Sequence, residues 1–165
     1  PEDLAKSLIP KNRTLADTRR ILSYYRLSPD GKRIIYGGRA RFTAAGPDVC
    51  APILHRFMTD RFPQLKDIRV THAWTGNVAF TLDALPHAGK IDGMHYLTGC
   101  NGSGVAMMTY LGTQTARRIA GIANRTTAFE EGDFPDHPLY TGNPWFLPVI
   151  GSWYQIRDRL DRMMA

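Results

Sequence analysis

The sequence predicts an α+β fold, a mixed, largely antiparallel sheet with packed helices, and three local patterns carry that expectation. Two β-rich runs flank the turn Ser28-Pro29-Asp30-Gly31, and an apolar stripe of helical period follows Gly46-Pro47-Asp48. The run Tyr96 to Thr113, Y-L-T-G-C-N-G-S-G-V-A-M-M-T-Y-L-G-T, enters a glycine-rich turn as a strand and leaves it as a helix. With 165 residues, 43% of them hydrophobic, the chain has the length and apolar content for one such domain.

Each element follows from its residues. Residues 1–19 are polar, carry Pro1 and Pro10, and read as a connection. Ile21 to Leu27 and Lys32 to Ala40 form the hairpin, where Gly37-Gly38 would bend the second strand or admit another group close to its backbone. Pro47 is suited to the first position of a helix; Val49, Ile53, Leu54, Phe57, Met58 and Phe62 give that helix a core stripe, and Pro63 stops it. From Ile68 the pattern alternates, with Ile68, Val70, His72 and Trp74 opposite Arg69, Thr71 and Ala73, which predicts a strand. Val78 to Leu82 reads as another strand, broken by Leu85-Pro86 and Gly89, and Met94 to Thr98 as a short one leading to the glycines. A helix then runs from about Ser103 to Ala120, with Arg117-Arg118 near its negative end and Gly121 to stop it. Thr126 to Pro148 is rich in proline, glycine and aromatics and reads as an ordered irregular segment. Val149 to Met163 closes as a helix carrying Ile150, Trp153, Ile156 and Leu160 on one face.

Composition excludes several classes of function. The net charge of +6 is spread in ones and twos, and the C-terminal arginines alternate with Asp158 and Asp161, so no face is basic enough to hold a phosphate backbone and no nucleic acid is expected. Cys50 and Cys100 make neither a disulfide framework nor a metal motif, and His55, His72, His87, His95 and His137 have no metal-like spacing, so no metal is assigned. Free thiols, no apolar run of bilayer length and no signal-peptide pattern point to the cytoplasm and to no membrane span.

The glycine turn is where chemistry is expected. Glycines permit positive φ and close approach, and the start of a helix leaves backbone donors unpaired at its positive end, so the turn offers N–H groups to something electron-rich. A strand-to-helix turn holding no ligand has the same pattern, and the dinucleotide fingerprint G-x-G-x-x-G occurs nowhere in the chain. The surroundings add more. Upstream stand L-S-Y-Y-R-L-S-P-D-G (Leu22 to Gly31), I-I-Y-G-G-R-A (Ile34 to Ala40) and W-T-G-N-V-A-F-T-L-D-A-L-P-H-A-G (Trp74 to Gly89). In this order, over about residues 14–123, they resemble the C-terminal half of the FAD-dependent D-amino-acid oxidase, glycine oxidase and sarcosine oxidase group, nearest its gamma-glutamylputrescine oxidoreductase branch.

That resemblance implies the substrate-binding domain and last FAD-contacting strand, loop and helix of an oxidoreductase that oxidises a C–N bond of an amine or amino acid to an imine. It divides the chain into a connection from an N-terminal FAD-binding half (1–19), a substrate-binding sheet and helix (20–98), the flavin-contacting loop and helix (99–123), and a C-terminal tail and helix (124–165). Carried over by position, Gly99, Asn101, Gly102, Ser103, Gly104, Val105 and Pro86 become cofactor contacts, while Tyr24, Tyr25, Arg39 and Trp74 become substrate contacts. His87, beside Pro86, could serve as an acid or base, although a lone histidine in a turn is commonly structural. Two departures matter: Ala106 stands where the sarcosine branch has a carboxylate-binding lysine, and Val78 where that branch attaches flavin through cysteine. They imply noncovalent FAD and a small amine other than sarcosine. With the ADP-binding half as its missing partner, the chain alone is expected to be inactive. The alternative is a noncatalytic protein-interaction module derived from an oxidase half.

Overall fold

The computed structural model describes residues 2–123, 126–130 and 134–164; residues 131–133, inside the segment read as an ordered tail, lie outside that range. In chain order the elements are α1 (Glu2–Leu8), β1 (Leu15–Ala16), β2 (Ser23–Leu27), β3 (Ile34–Gly38), α2 (Pro47–Arg61), β4 (His87–Ile91), β5 (Met94–Thr98), α3 (Gly104–Ile119) and α4 (Leu147–Met164). The fold is α+β, as predicted, and the strands pair antiparallel throughout: β1-β2-β3 in one sheet, β4-β5 in another. The chain divides into two units, residues 1–75 with 144–165, and residues 76–143.

In the first unit the predicted hairpin forms, with Leu27 opposite Ile34 and Gly31 at φ +72 closing the turn. Along β2, Ser23, Tyr25 and Leu27 are buried while Tyr24 and Arg26 face outward, the alternation expected of a sheet covered on one side. Tyr25 and Leu27 meet Ala5 and Ile9 in the core, with Leu8, Ile34, Tyr36 and Phe62 around them. Within the stretch read as a connection, residues 2–8 form a helix that the sequence did not announce. Glu2 and Lys6 pair at 2.7 Å along its exposed side, while Ala5 lies buried in the sheet's core. The Gly37-Gly38 reading holds: a Cβ on Gly37 would run into the Tyr24 ring, and one on Gly38 would stand 2.8 Å from the Leu22 carbonyl.

α2 begins at Pro47 and ends at Arg61 before Pro63, as read, and its Leu54 reaches the backbone of β3 at Gly38. Of its predicted stripe, Met58 is buried, Val49 is exposed and the others are half-buried. α4 turns a different face inward from the one its apolar residues suggest. Gly151 lets the Phe42 ring pack within 2.6 Å of where its Cβ would be, and the buried Asp158 carboxylate accepts the backbone amides of Arg20 and Ile21 at 3.1 and 3.0 Å. Trp153, Ile156 and Leu160 stay exposed.

In the second unit, β4 and β5 join through Asp92 (φ 50) and Gly93 (φ 83), the left-handed pair that a two-residue hairpin turn requires. β4 corrects the expectation that Gly89 breaks a strand: Gly89 sits in the ladder opposite Tyr96, whose ring occupies the space a side chain would need. α3 packs on β5, with Leu111 fully buried and Gly112 near Leu97, and it ends at Ile119, capped by Ala120 and followed by Gly121 at φ +69. A single 3₁₀ turn at Ala128–Glu130 rests on β4 and is tied to α3 by the Arg118–Glu130 ion pair.

Two predicted strands do not form. Neither Ile68–Trp74, in the first unit, nor Val78–Leu82, in the second, joins a ladder. Alternation reports that one face of an extended segment is apolar; a strand also needs a neighbour for its backbone, and among the described residues none pairs with these two.

Candidate functional site

β5 delivers the chain to Gly99, where φ is +72 and a Cβ would lie 2.6 Å from Thr81 Cγ2 and 2.8 Å from the Leu85 carbonyl oxygen. Only glycine fits there. Asn101 follows at φ +48, which asparagine tolerates better than most residues. Its Nδ2 donates to the Gly99 carbonyl (2.6 Å) and to Thr81 Oγ1 (3.3 Å), its Oδ1 accepts the Thr81 amide (3.2 Å), and its own amide donates to the Ala79 carbonyl (3.0 Å). Asn101 is thus the bolt that fastens the glycine loop to the segment twenty residues upstream.

That upstream segment is a built turn as well. The Thr81 hydroxyl donates to the Leu85 carbonyl (2.6 Å), the Leu85 amide donates to Asp83 Oδ1 (3.1 Å), and Ala84 takes φ +58. Pro86 is buried behind it. His87 Nε2–H donates to Asp83 Oδ2 at 3.0 Å, and its buried ring lies 4.9 Å from that of Phe134. Desolvation pushes the Asp83 carboxyl upward, and hydrogen bonds from the Leu85 amide, His87 and Thr81 outweigh it, so the carboxyl ionises below its ordinary range. The His87 ring is thus held between Asp83 and Phe134.

Beyond Asn101 the loop opens. Gly102 has φ +93 and no heavy atom within 4 Å of where a Cβ would stand. Ser103 makes no capping hydrogen bond, and the amides of Gly104, Val105 and Ala106 have no backbone acceptor among the described residues. The Val105 side chain, at the same helix end, is 92% exposed. The structure therefore gathers Gly99, Asn101, Gly102, Ser103, Gly104, Val105 and the Pro86 turn into one place, with two jobs divided among them. Gly99 and Asn101 hold the loop, the Ser103 amide closes it on the Cys100 carbonyl (2.8 Å), and the amides of Gly102, Gly104, Val105 and Ala106 have no backbone acceptor among the described residues. Thr81, which links the two turns, was not singled out as a site residue. Its signal was the T-x-D spacing ahead of the turn, where hydroxyl and carboxylate both bond the local backbone.

The four residues read as substrate contacts all belong to the first unit. Tyr24 is half exposed with its ring across Gly37, and Arg39 stacks 5.0 Å from the centre of the Phe42 ring. Trp74 is 69% exposed in the unladdered stretch. Tyr25 is a core residue: it stacks on Tyr36 at 5.7 Å, meets Phe62 edge-on at 5.2 Å, and its hydroxyl accepts from Arg61 at 3.4 Å. Among the described residues no three His, Cys, Asp or Glu side chains gather as metal ligands, and no helix is long and apolar enough to cross a membrane.

Comparison with known proteins adds the decisive observation: residues 1–118 match the DAO family, described as FAD dependent oxidoreductase. The chain belongs to that family. Gamma-glutamylputrescine oxidoreductase of Escherichia coli (strain K12) is 36% identical over 163 residues, 96% of this chain and 38% of the relative. Two proteins named probable oxidoreductase OrdL are also similar. That of Rhizobium meliloti (strain 1021) is 30% identical over 92% of this chain and 36% of its own length, and that of Haemophilus influenzae is 32% identical over 77% and 28%. The chain thus spans between about a quarter and two fifths of the length of these curated relatives. No solved structure matches it.

The DAO family is FAD-dependent, and the loop fits one edge of such a group. The unfilled space at Gly102 and the unpartnered amides of the first turn of α3 suit an electron-rich, planar acceptor edge, which the positive helix end would favour by about 0.3–2 kcal/mol.

Proposed function

We propose that this chain is the C-terminal portion of a DAO-family oxidoreductase that oxidises the C–N bond of a small amine or amino acid to an imine, with noncovalent FAD shared with an N-terminal FAD-binding portion. The observation that carries this reading is the open helix start, fastened by Asn101 and Thr81, where the amides of Gly102, Gly104, Val105 and Ala106 have no backbone acceptor among the described residues. Bound flavin supplies the acceptor for the electron pair and hydrogen of the C–N carbon. The chain's residues do the rest. Gly102, Gly104 and Val105 offer fixed N–H groups, and Ser103 its hydroxyl, where negative charge would build up, and fixed donors need no reorganisation at that moment. Asn101 and Gly99 keep the loop in register, and the Pro86 turn, locked by Asp83 and His87, forms its second wall. Tyr24, Arg39 and Trp74 are offered as the substrate-facing groups, with Tyr25 supporting β2 from the core beneath. Val78, in place of a cysteine, leaves no thiol there for covalent attachment.

The chain by itself is inactive in this reading, because nothing in it holds the ADP part of FAD. Its unpaired thiols, Cys50 and Cys100, suit a reducing cytoplasm. The test is to co-express the chain with a polypeptide made of the part of the E. coli relative that lies outside the match, and to follow flavin through gel filtration. The expected result is FAD retained by the pair and by neither piece alone, bleached anaerobically by an amine. Gamma-glutamylputrescine is the first to try, because it gives the 36%-identical relative its name. A stable pair whose flavin no amine reduces would favour the interaction-module alternative.

A further inference from the structure

The apolar stripe of α4 points away from the body of its own unit. Val149, Trp153, Ile156, Leu160 and Met163 follow one another at steps of four, three, four and three residues, which puts them on one side of an α-helix over about 21 Å. All five are between 45% and 83% exposed. The opposite side holds the helix down: Gly151 admits the Phe42 ring, Tyr154 meets that ring at 6.0 Å, and Asp158 and Asp161 both bind Arg20. The two acids of α4 are thus engaged with the body. What borders the stripe is basic. A helix turns about 100° per residue, so Arg157 lies along one flank and Arg159 along the other. Arg157 stacks 5.8 Å from the centre of the Trp153 ring, and among the described residues neither arginine forms an ion pair.

We propose that α4 is an interfacial helix whose outward stripe docks in the surface of an anionic lipid bilayer, with Arg157 and Arg159 among the headgroups. A helix that lies in such an interface needs an apolar side with large residues and cations along its borders. α4 has both. Trp145, in the turn before it, adds a second exposed indole, the side chain that settles where apolar and polar layers meet. Charge selects lipid over a second copy of the chain, which would set the same arginines against each other along the stripe. The residues that match the family end at 118 and α4 lies beyond them, so the joint with an FAD-binding portion that family members share has no need of this stripe. The helix lies on the bilayer and does not cross it, being too polar to span one. The proposal stands on α4 alone and is independent of the reaction.

The experiment is co-sedimentation of the chain with vesicles of phosphatidylglycerol mixed into phosphatidylcholine, and with vesicles of phosphatidylcholine alone, at low and high salt. Each arginine near an anionic surface is worth about a fivefold change in affinity, so the mixed vesicles are expected to bind about thirtyfold more tightly and to lose that advantage as salt rises. Ile156→Asp and, separately, Val149→Asp stand at positions already open to water, and are expected to leave the melting of the free chain unchanged and to abolish binding. Arg159→Gln is expected to weaken binding to the mixed vesicles alone, by about fivefold. No binding, equal binding to the two kinds of vesicle, or binding that both aspartate variants keep overturns the proposal. A dimer of the chain that Ile156→Asp dissociates assigns the stripe to a second copy and overturns it as well. The same vesicles are then offered to the flavin-retaining pair: binding that survives supports the lipid, and binding lost on pairing assigns the stripe to the FAD-binding portion instead.

Discussion

Gly99 and Gly102 sit three residues apart, both at positive φ, yet the site uses them differently. A Cβ on Gly102 meets nothing, so Gly102→Ala is expected to cost only the left-handed backbone strain, about 1–2 kcal/mol. At Gly99 the same strain is joined by contact with Thr81 Cγ2 and the Leu85 carbonyl, so Gly99→Ala should lower the urea midpoint distinctly further. Equal losses would mean that the two turns are not in contact in solution. Asp83 supplies a second prediction at this scale. Its folded carboxyl ionises below its unfolded value near 3.9, so its contribution to stability is complete above that value and fades as pH falls through the lower, folded one. Urea midpoints measured against pH should therefore drop in the acid range for the wild-type chain, and more gently for Asp83→Asn. A variant with an unchanged acid slope would show that the bonds from Leu85 and His87 do not persist.

Among the elements, α4 depends most on a single side chain. Asp158 gives its carboxylate to the amides of Arg20 and Ile21 and to the Arg20 guanidinium at 3.3 Å, and it is only 6% exposed. Asp158→Ala leaves those donors short of a charged acceptor and is expected to cost about 2–3 kcal/mol, read as a lower urea midpoint and faster tryptic cleavage at Arg157, Arg159 and Arg162. Asp161→Ala, which removes only the exposed half of the Arg20 pairing, should leave both readings nearly unchanged. Asp158 also shows where a sequence stops speaking, because the apolar residues of α4 advertise one face while a buried carboxylate selects another. The hairpin of β2 and β3, the start of α2 at Pro47 and the end of α3 at Gly121 were all legible, since proline and glycine act on their own neighbours. β4 is not legible although Asp92-Gly93 is a local hairpin signal, because Gly89 reads as a breaker and its accommodation of the Tyr96 ring is a cross-strand fact. α1 was missed because its apolar side is only Leu4, Ala5, Leu8 and Ile9. The glycine loop could be read as a ligand turn, but the Asn101–Thr81 bolt joins residues twenty apart and has no periodicity to betray it.

Over the whole chain, the large apolar side chains divide unevenly between core and water. Tyr25, Leu27, Met58, Leu65 and Leu111 are buried, whereas Trp74, Val78, Leu82, Val105, Val149, Trp153, Ile156 and Leu160 remain among the exposed. Apolar surface on this scale, gathered along α4 and the stretch at 68–74, is what a protein shows where another surface belongs. The net charge of +6 keeps the chain dispersed without covering those faces. The isolated chain is therefore expected to bind an apolar fluorescent dye strongly at neutral pH while folded, and to unfold in urea with a slope shallow for 165 residues, because folding removes little apolar area from water. Pairing with the complementary polypeptide should lower the dye signal and steepen the slope together, since both report the same area. A folded chain with weak dye binding and a steep slope would mean that these faces are already covered in solution by the chain itself, leaving no surface to explain by a partner. Dye binding undiminished in a flavin-retaining pair would locate the covered surface away from residues 68–74, and would separate the shared cofactor from the apolar faces as the source of the pair's stability.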